Sequence, residues 1–227
     1  MIDAVNAARM PELASLLDGY RRFHAGEYVE QRRRFDQLAS DGQAPPIMVI
    51  ACSDSRVDPT RIFDTAPGEI FVLRNVANLV PPFEPDGGQH GASAAIEFAV
   101  TQLGVAQIVV LGHAQCGGIS ASLSGKFDGA AAGEGGFIAR WIAMIAPARA
   151  CALAAAAARP ELDPQQLLEH AAIRLSLANL ASFPFIAARV ATGRLKLRGA
   201  WFSIADGSLS VLDGDDFVPV TPLAVAP

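Results

Sequence analysis

The 227-residue chain is poor in cysteine. It has three, Cys52, Cys116 and Cys151, an odd count that argues against a disulfide framework and for a reducing, cytoplasmic setting. It has no Cys-x-x-Cys pair, so a thiol-redox role has little to stand on. It has no excess of positive charge: 18 Lys and Arg against 23 Asp and Glu leave a formal net charge of −5. Broad binding to a phosphate backbone, and with it nucleic acid as a partner, is not expected. No membrane span is expected either, because the longest apolar stretch, residues 141–158, is interrupted by Pro147 and Arg149 and is mostly alanine. A buried helix is the simpler reading of it. The opening Met1-Ile2-Asp3-Ala4 lacks the basic start and apolar centre of a secretory signal. With no internal repeat, low-complexity segment or linker in view, one domain is expected.

What the chain has is apolar mass. Hydrophobic residues make up 51% and charged residues 18%, enough for a sizeable core. Residues 11–40 read as helix, with Leu13, Leu16, Leu17, Tyr20 and Phe23 on one face and Gly26 as an interruption. Arg32, Arg33 and Arg34 are read as a solvated face or as inter-subunit salt bridges. The division expected is a helical arm over 1–44 and an α/β core over 45–227. In that core, 47–51, 70–73 and 107–111 are apolar runs suited to strands buried on both faces. Helices are expected from Asp58-Pro59, where Asp58 is the N-cap, over 91–103, from Cys116, and over 137–158 and 164–190, the last bent near Pro184. Residues 195–204 and 209–212 form a strand pair about Asp206-Gly207. Strands alternating with helices predict an α/β fold with a mostly parallel central sheet and flanking helices.

Two short motifs carry the chemistry. Cys52-Ser53-Asp54-Ser55-Arg56 follows the first strand, and His113-Ala114-Gln115-Cys116-Gly117-Gly118 follows the third. Ligands in open parallel sheets sit beyond the carboxyl ends of strands. If these two strands are neighbours, Cys52, His113 and Cys116 converge, and two thiolates with an imidazole suit a zinc ion that keeps one open position. Cys116 at a helix start favours the thiolate. Gly112, Gly117 and Gly118 are expected to let the backbone bend and approach a ligand. Asp54 can accept a hydrogen bond from a zinc-activated hydroxide and so aim its lone pair at a substrate, with Arg56 holding Asp54 ionised. Two other readings stand beside this one: an ordinary Asp54–Arg56 ion pair, and Asp54 as a fourth zinc ligand that closes the site. Cys151 reads as a packed, inert thiol, and His90 as the candidate for passing protons to solvent.

These residues resemble the β-class carbonic anhydrases, most specifically in Cys-x-Asp-x-Arg with His-x-x-Cys. Pro67-Gly68-Glu69, Arg74-Asn75-Val76-Ala77-Asn78 and Ser176-Leu177-Ala178-Asn179-Leu180 extend the likeness. The resemblance implies reversible hydration of carbon dioxide to bicarbonate and a proton. Cys52, His113 and Cys116 would be the zinc ligands and Asp54 and Arg56 the catalytic dyad. It further implies a substrate site formed by Gln43, Phe71, Val76, Phe98 and Gly117, the Gln43 amide facing an oxygen of the substrate and the apolar groups suiting an uncharged gas. Phe98 stands where the plant-type pattern often has tyrosine. Val49 stands where the bicarbonate-inhibited branch has tryptophan, which favours the open, plant-type site. The resemblance implies a homodimer or homotetramer whose sites are completed by the neighbouring subunit. Rival readings are a carbonyl sulfide or carbon disulfide hydrolase on the same scaffold, and a non-catalytic structural zinc protein.

Overall fold

The computed structural model describes residues 13–86 and 88–223; the opening tetrapeptide read above lies outside them. The chain divides into two compact units, one ending at Gln43 and the next beginning at Ala44. The first unit holds helices α1 (Leu13–Ala25), α2 (Glu27–Glu30) and α3 (Arg32–Asp41). Gly26 leaves the helical region (φ −113°, ψ −96°) and divides α1 from α2. Phe23, Tyr28 and Phe35 meet around this break with centroids 5.0–6.1 Å apart. Arg32 pairs with Asp36 one turn along the same helix (2.8 Å), as a solvated charge run would. Leu13, Leu16 and Tyr20, on the expected apolar stripe, are 70%, 63% and 59% exposed.

The second unit carries β1 (Ile47–Cys52), α4 (Pro59–Ile62), β2 (Ile70–Asn75), α5 (Gly91–Glu97), β3 (Gln107–His113), α6 (Gly117–Ser124), α7 (Gly136–Ile142), α8 (Ala146–Ala158), α9 (Pro164–Ser182), α10 (Pro184–Ala191), β4 (Lys196–Phe202), β5 (Leu209–Asp213) and β6 (Asp216–Pro219). They build one six-stranded sheet in the order β2-β1-β3-β4-β5-β6. The first four spatial neighbours are parallel and the last two join antiparallel. β1 shows why its sequence is uniformly apolar. Met48 and Ile50 face one cluster with Ile96, Ile108, Ile173 and Phe183, while Val49 and Ala51 face the opposite one with Leu111 and Ala200. Asp58 caps α4 by accepting from the Thr60 amide (2.9 Å), and Asp163 caps α9 by accepting from the Gln165 amide (2.9 Å).

Several expectations are corrected. The helix over 91–103 changes at Phe98 into a π-helical turn through Gln102. The stretch Gly136–Ala158 is helical along most of its length, broken by a 3₁₀ turn at Ala143–Ile145. By length and composition it is apolar enough to cross a membrane, and little of it is buried. Alanine side chains have little area to bury, and of α8 only Ala152 is fully covered. Cys151 on that helix is therefore exposed, not packed. β6 was missed, although Asp213-Gly214 is a turn signal, with Gly214 at φ +58°.

β6 is held from α9. His170 stacks on Phe217 (centroids 3.9 Å apart) and meets Trp201 edge-on (5.2 Å), and Arg174 also lies over Phe217. Burial, aided by the Arg174 charge, lowers His170 from 6.5 to about 4. Between those values the unfolded chain binds a proton that the folded one refuses, so this histidine weakens the fold as pH falls from 6.5 toward 4. His170→Phe is expected to flatten that loss, measured as the difference in urea-unfolding free energy between variant and wild type across the window. Parallel pH dependence in the two proteins would contradict it.

Candidate metal centre

β1 and β3 lie side by side, with Ala51 opposite Leu111, so their carboxyl ends deliver Cys52 and His113 to one place. The chain then turns through Gln115, a non-glycine residue at φ +56°, and reaches Cys116 at the N-cap of α6. The bend thus sits at Gln115 and not at the three glycines, none of which has positive φ. Gly112 and Gly118 are needed for space. A Cβ at Gly112 would stand 2.7 Å from Ile173 Cδ1, and one at Gly118 would stand 2.8 Å from Val76 Cγ1. Gly117 faces open space beside Cys116.

The donor atoms of Cys52, His113 and Cys116 all lie within 4.8 Å of one another, and all three residues are buried. The two sulfurs are 3.9 Å apart. Two thiolates on one tetrahedral zinc would be about 3.8 Å apart, from Zn–S distances near 2.3 Å. His113 Nδ1 donates to the Ala114 carbonyl (2.8 Å), which fixes the tautomer and leaves the Nε2 lone pair free. That Nε2 is buried without a hydrogen-bond partner. A buried acceptor in this state is costly unless something coordinates it, and the donor set fits zinc. The donors also compete for protons. Cys52 is pulled down to about 4, chiefly by its hydrogen bond with Cys116, and the same contact with burial pushes Cys116 up. One proton is in effect shared between the two sulfurs. Burial works against a charged His113, but its contacts with Cys52, the Ala114 carbonyl and Asp54 raise it overall. A metal must displace these protons, so its binding weakens in acid.

Asp54 is turned to Arg56. Oδ1 accepts from Arg56 Nε (3.0 Å) and from the Arg56 amide (3.0 Å), and Oδ2 accepts from Nη2 (2.7 Å). This bidentate grip holds the Asp54 carboxyl down at about 2. Asp54 Oδ2 remains 3.9 Å from His113 Nε2, at the edge of the donor cluster. Arg56 is fixed in turn by donating to the Gln115 carbonyl (3.1 Å).

Other residues support the site: Arg74, Ser176 and Asn179 lie in the segments that extend the resemblance, whereas Trp141 and Glu169 lie outside them. Arg74 donates to the carbonyls of Cys52 (2.9 Å), Asp54 (2.7 Å) and Val57 (3.2 Å), clamping the whole first motif. Ser176 and Asn179 of α9 hold the turn after β2 through Asn78, Val80 and their backbone groups, where Ala77 and Asn78 adopt positive φ. Trp141 donates to the Val76 carbonyl (2.7 Å). Glu169, 3% exposed, accepts from the Cys116 amide. Spacing does not expose these partners, which lie from 17 to 99 residues away in sequence.

The expected substrate residues fall into separate groups. Val76 follows Asn75, the register partner of Cys52, and with Gly117 lies at the metal end of the sheet. Phe71 pairs in register with Met48, four residues back along β1, about 13 Å away at 3.3 Å per residue. Phe98 packs with Phe71 (6.0 Å), and Phe98 is 46% exposed. Gln43 is exposed and ends the N-terminal unit. His90 engages Asp86 (2.6 Å).

The carbonic anhydrase family model matches residues 47–209. A carbonic anhydrase of Pseudomonas aeruginosa is 38% identical over 203 residues, 89% of this chain and 88% of its own. Beta carbonic anhydrase 3 of Arabidopsis thaliana is 32% identical, covering 94% of this chain and 82% of its own. Among solved structures, the β-carbonic anhydrase CcaA is similar at a TM-score of 0.82 and 32% identity, over 92% of this chain and 99% of that one. A tetrameric β-carbonic anhydrase of Sordaria macrospora is similar at 0.76 and 30%, over 88% and 96%.

Proposed function

Because the chain belongs to the β-class carbonic anhydrases, we propose that Cys52, His113 and Cys116 hold its zinc and that Asp54 and Arg56 orient the nucleophile for reversible hydration of carbon dioxide. The observation that carries this is the buried convergence of three donors, one a histidine Nε2 without a partner, beside a carboxylate locked by a guanidinium. Zinc in such a site acidifies a water in its fourth position and so supplies a nucleophile near neutral pH. The rest is the work of the chain. His113 is held in one tautomer by Ala114. Asp54 stays ionised through Arg56 and can accept a hydrogen bond from the nucleophile, which sets its lone pair toward the gas. With both Asp54 oxygens engaged by Arg56, the geometry favours the open form of the site over one closed by Asp54. Arg56, 45% exposed at the mouth, offers a positive charge to the bicarbonate that leaves.

Val76 and Gly117 line the metal end, whereas Phe71 and Phe98 stand too far along the sheet to touch the same substrate. A second copy that brings Phe71 and Phe98 against the metal end would complete the apolar wall, and an oligomer is supported by the tetrameric Sordaria relative. For Gln43 the proposal carries over what the resemblance implies, an amide facing an oxygen of the substrate. The free cysteines suit a reducing cytoplasm.

The test is stopped-flow hydration of carbon dioxide by the zinc-loaded protein, run beside sulfide release from carbonyl sulfide and carbon disulfide. Hydration well above the uncatalysed rate is expected. Hydration at background with zinc bound would overturn the proposal, and sulfide release in that case would point to the rival substrates.

A further inference from the structure

Glu169 is a buried carboxylate to which the established chemistry gives no task. It sits on α9, 3% exposed, and three donors converge on it. Oε1 accepts from the Cys116 amide (3.1 Å) and from Gln165 Nε2 (2.8 Å), and Oε2 accepts from Trp201 Nε1 (3.0 Å). Gln165 also donates to the Cys116 carbonyl (3.1 Å). One turn of α9 therefore grips both polar groups of Cys116, the N–H through Glu169 and the C=O through Gln165. Every group facing Glu169 is a donor, so the place calls for an acceptor at both oxygens, which a carboxylate supplies and an amide does not.

We propose that Glu169, with Gln165, is a positioning residue that fixes Cys116 so that its sulfur points at the metal. The inference rests on the zinc reading above. Cys116 follows a left-handed residue, Gln115, and is the N-cap of α6; its carbonyl accepts the Ser120 amide of that helix (2.9 Å), but its own N–H has no partner within the helix and is left to Glu169. Without Glu169, the Cys116 amide would be left buried and unmatched and the half-buried Trp201 indole would lose its acceptor, and the loop would shift to find others. A shift of the loop moves the sulfur. Partners of this kind, one step behind a metal ligand, typically account for about 10–100-fold in metal affinity.

The experiment compares wild type, Glu169→Gln and Gln165→Ala. Glu169→Gln keeps the shape but turns an NH2 group toward at least one donor. Zinc affinity is read by competition with a chelator. The cobalt-substituted proteins are compared by their thiolate-to-cobalt absorption, which a purely structural role would leave unchanged. Folding is checked by circular dichroism. A folded Glu169→Gln is expected to bind zinc about 10–100-fold more weakly and to show an altered cobalt spectrum. Wild-type affinity and spectrum in that variant would overturn the proposal. If Glu169→Gln does not fold, Gln165→Ala decides: weaker zinc binding supports the clamp, and unchanged binding and spectrum refute it. Failure of the wild-type protein to take up either metal would remove the zinc reading and this inference together, whereas normal uptake with unchanged variants would remove this inference alone.

Discussion

Cys52→Ser is expected to come out of purification folded but without stoichiometric zinc, and to hydrate carbon dioxide at the uncatalysed rate. Serine is close to cysteine in size, and Cys52 packs at 6% exposure among Val57, Ala77 and Ile119, so the core around it should survive. What changes is the donor. The Cys52 thiol ionises readily here, at about 4, under the influence of Cys116. A serine hydroxyl does not ionise near neutral pH and gives zinc a weak neutral ligand. One of three protein ligands is then lost, and the effect should exceed the roughly 10–100-fold typical of partners that only support a ligand. Metal analysis and stopped-flow hydration measure it. Undiminished zinc content would remove the basis of the site.

Asp54→Ala should do the reverse: keep the zinc and lose the chemistry. Asp54 lies at the edge of the donor cluster and not in it, so one zinc per chain is expected to remain. Hydration should fall by about 10²–10⁴-fold, the scale of a positioned proton acceptor. Arg56 would keep its bond to the Gln115 carbonyl but lose both carboxylate contacts. The sign of the pH dependence follows from the same contacts. A carboxyl held at about 2 stays ionised throughout the range in which the enzyme is assayed. The acid limb of wild-type activity should therefore not follow Asp54: the water that bound zinc would acidify is reprotonated first, near neutral pH, and zinc is lost only further into acid, where protons compete for the metal donors. Wild-type hydration by Asp54→Ala would sink the dyad mechanism.

The metal end of the fold was legible because each donor sits within a few residues of a strand end, and because β1 and β3 proved to be parallel neighbours. Local pattern was enough for that. It was not enough where the determining partner is distant. Glu169 and Gln165 reach Cys116 from 53 and 49 residues away, and nothing in their spacing marks them. Phe71 and Phe98 were legible as apolar residues but not as a pair set apart from the metal, because that depends on register: Phe71 is opposite Met48, not Cys52. The glycines were legible as special, but the bend expected of them is made by Gln115, and Gly112 and Gly118 serve close packing. Residues 141–158 were read as buried because hydropathy scores alanine as apolar, although a row of methyl groups gains little from a covering surface.

One face of α9 has a consequence for how much error the site tolerates. Gln165, Glu169, Ile173 and Ser176 recur at helical spacing along it. Gln165 and Glu169 hold Cys116, Ile173 lies over the bare backbones of Gly112 and Gly199, and Ser176 holds the turn after β2. Three separate contacts are thus gauged against a single rigid rod. A side chain lengthened at any one of them is expected to press on the element that carries the others. An extra methyl at Gly199 would stand 2.8 Å from Ile173 Cγ2 and so press on the helix that also holds Cys116.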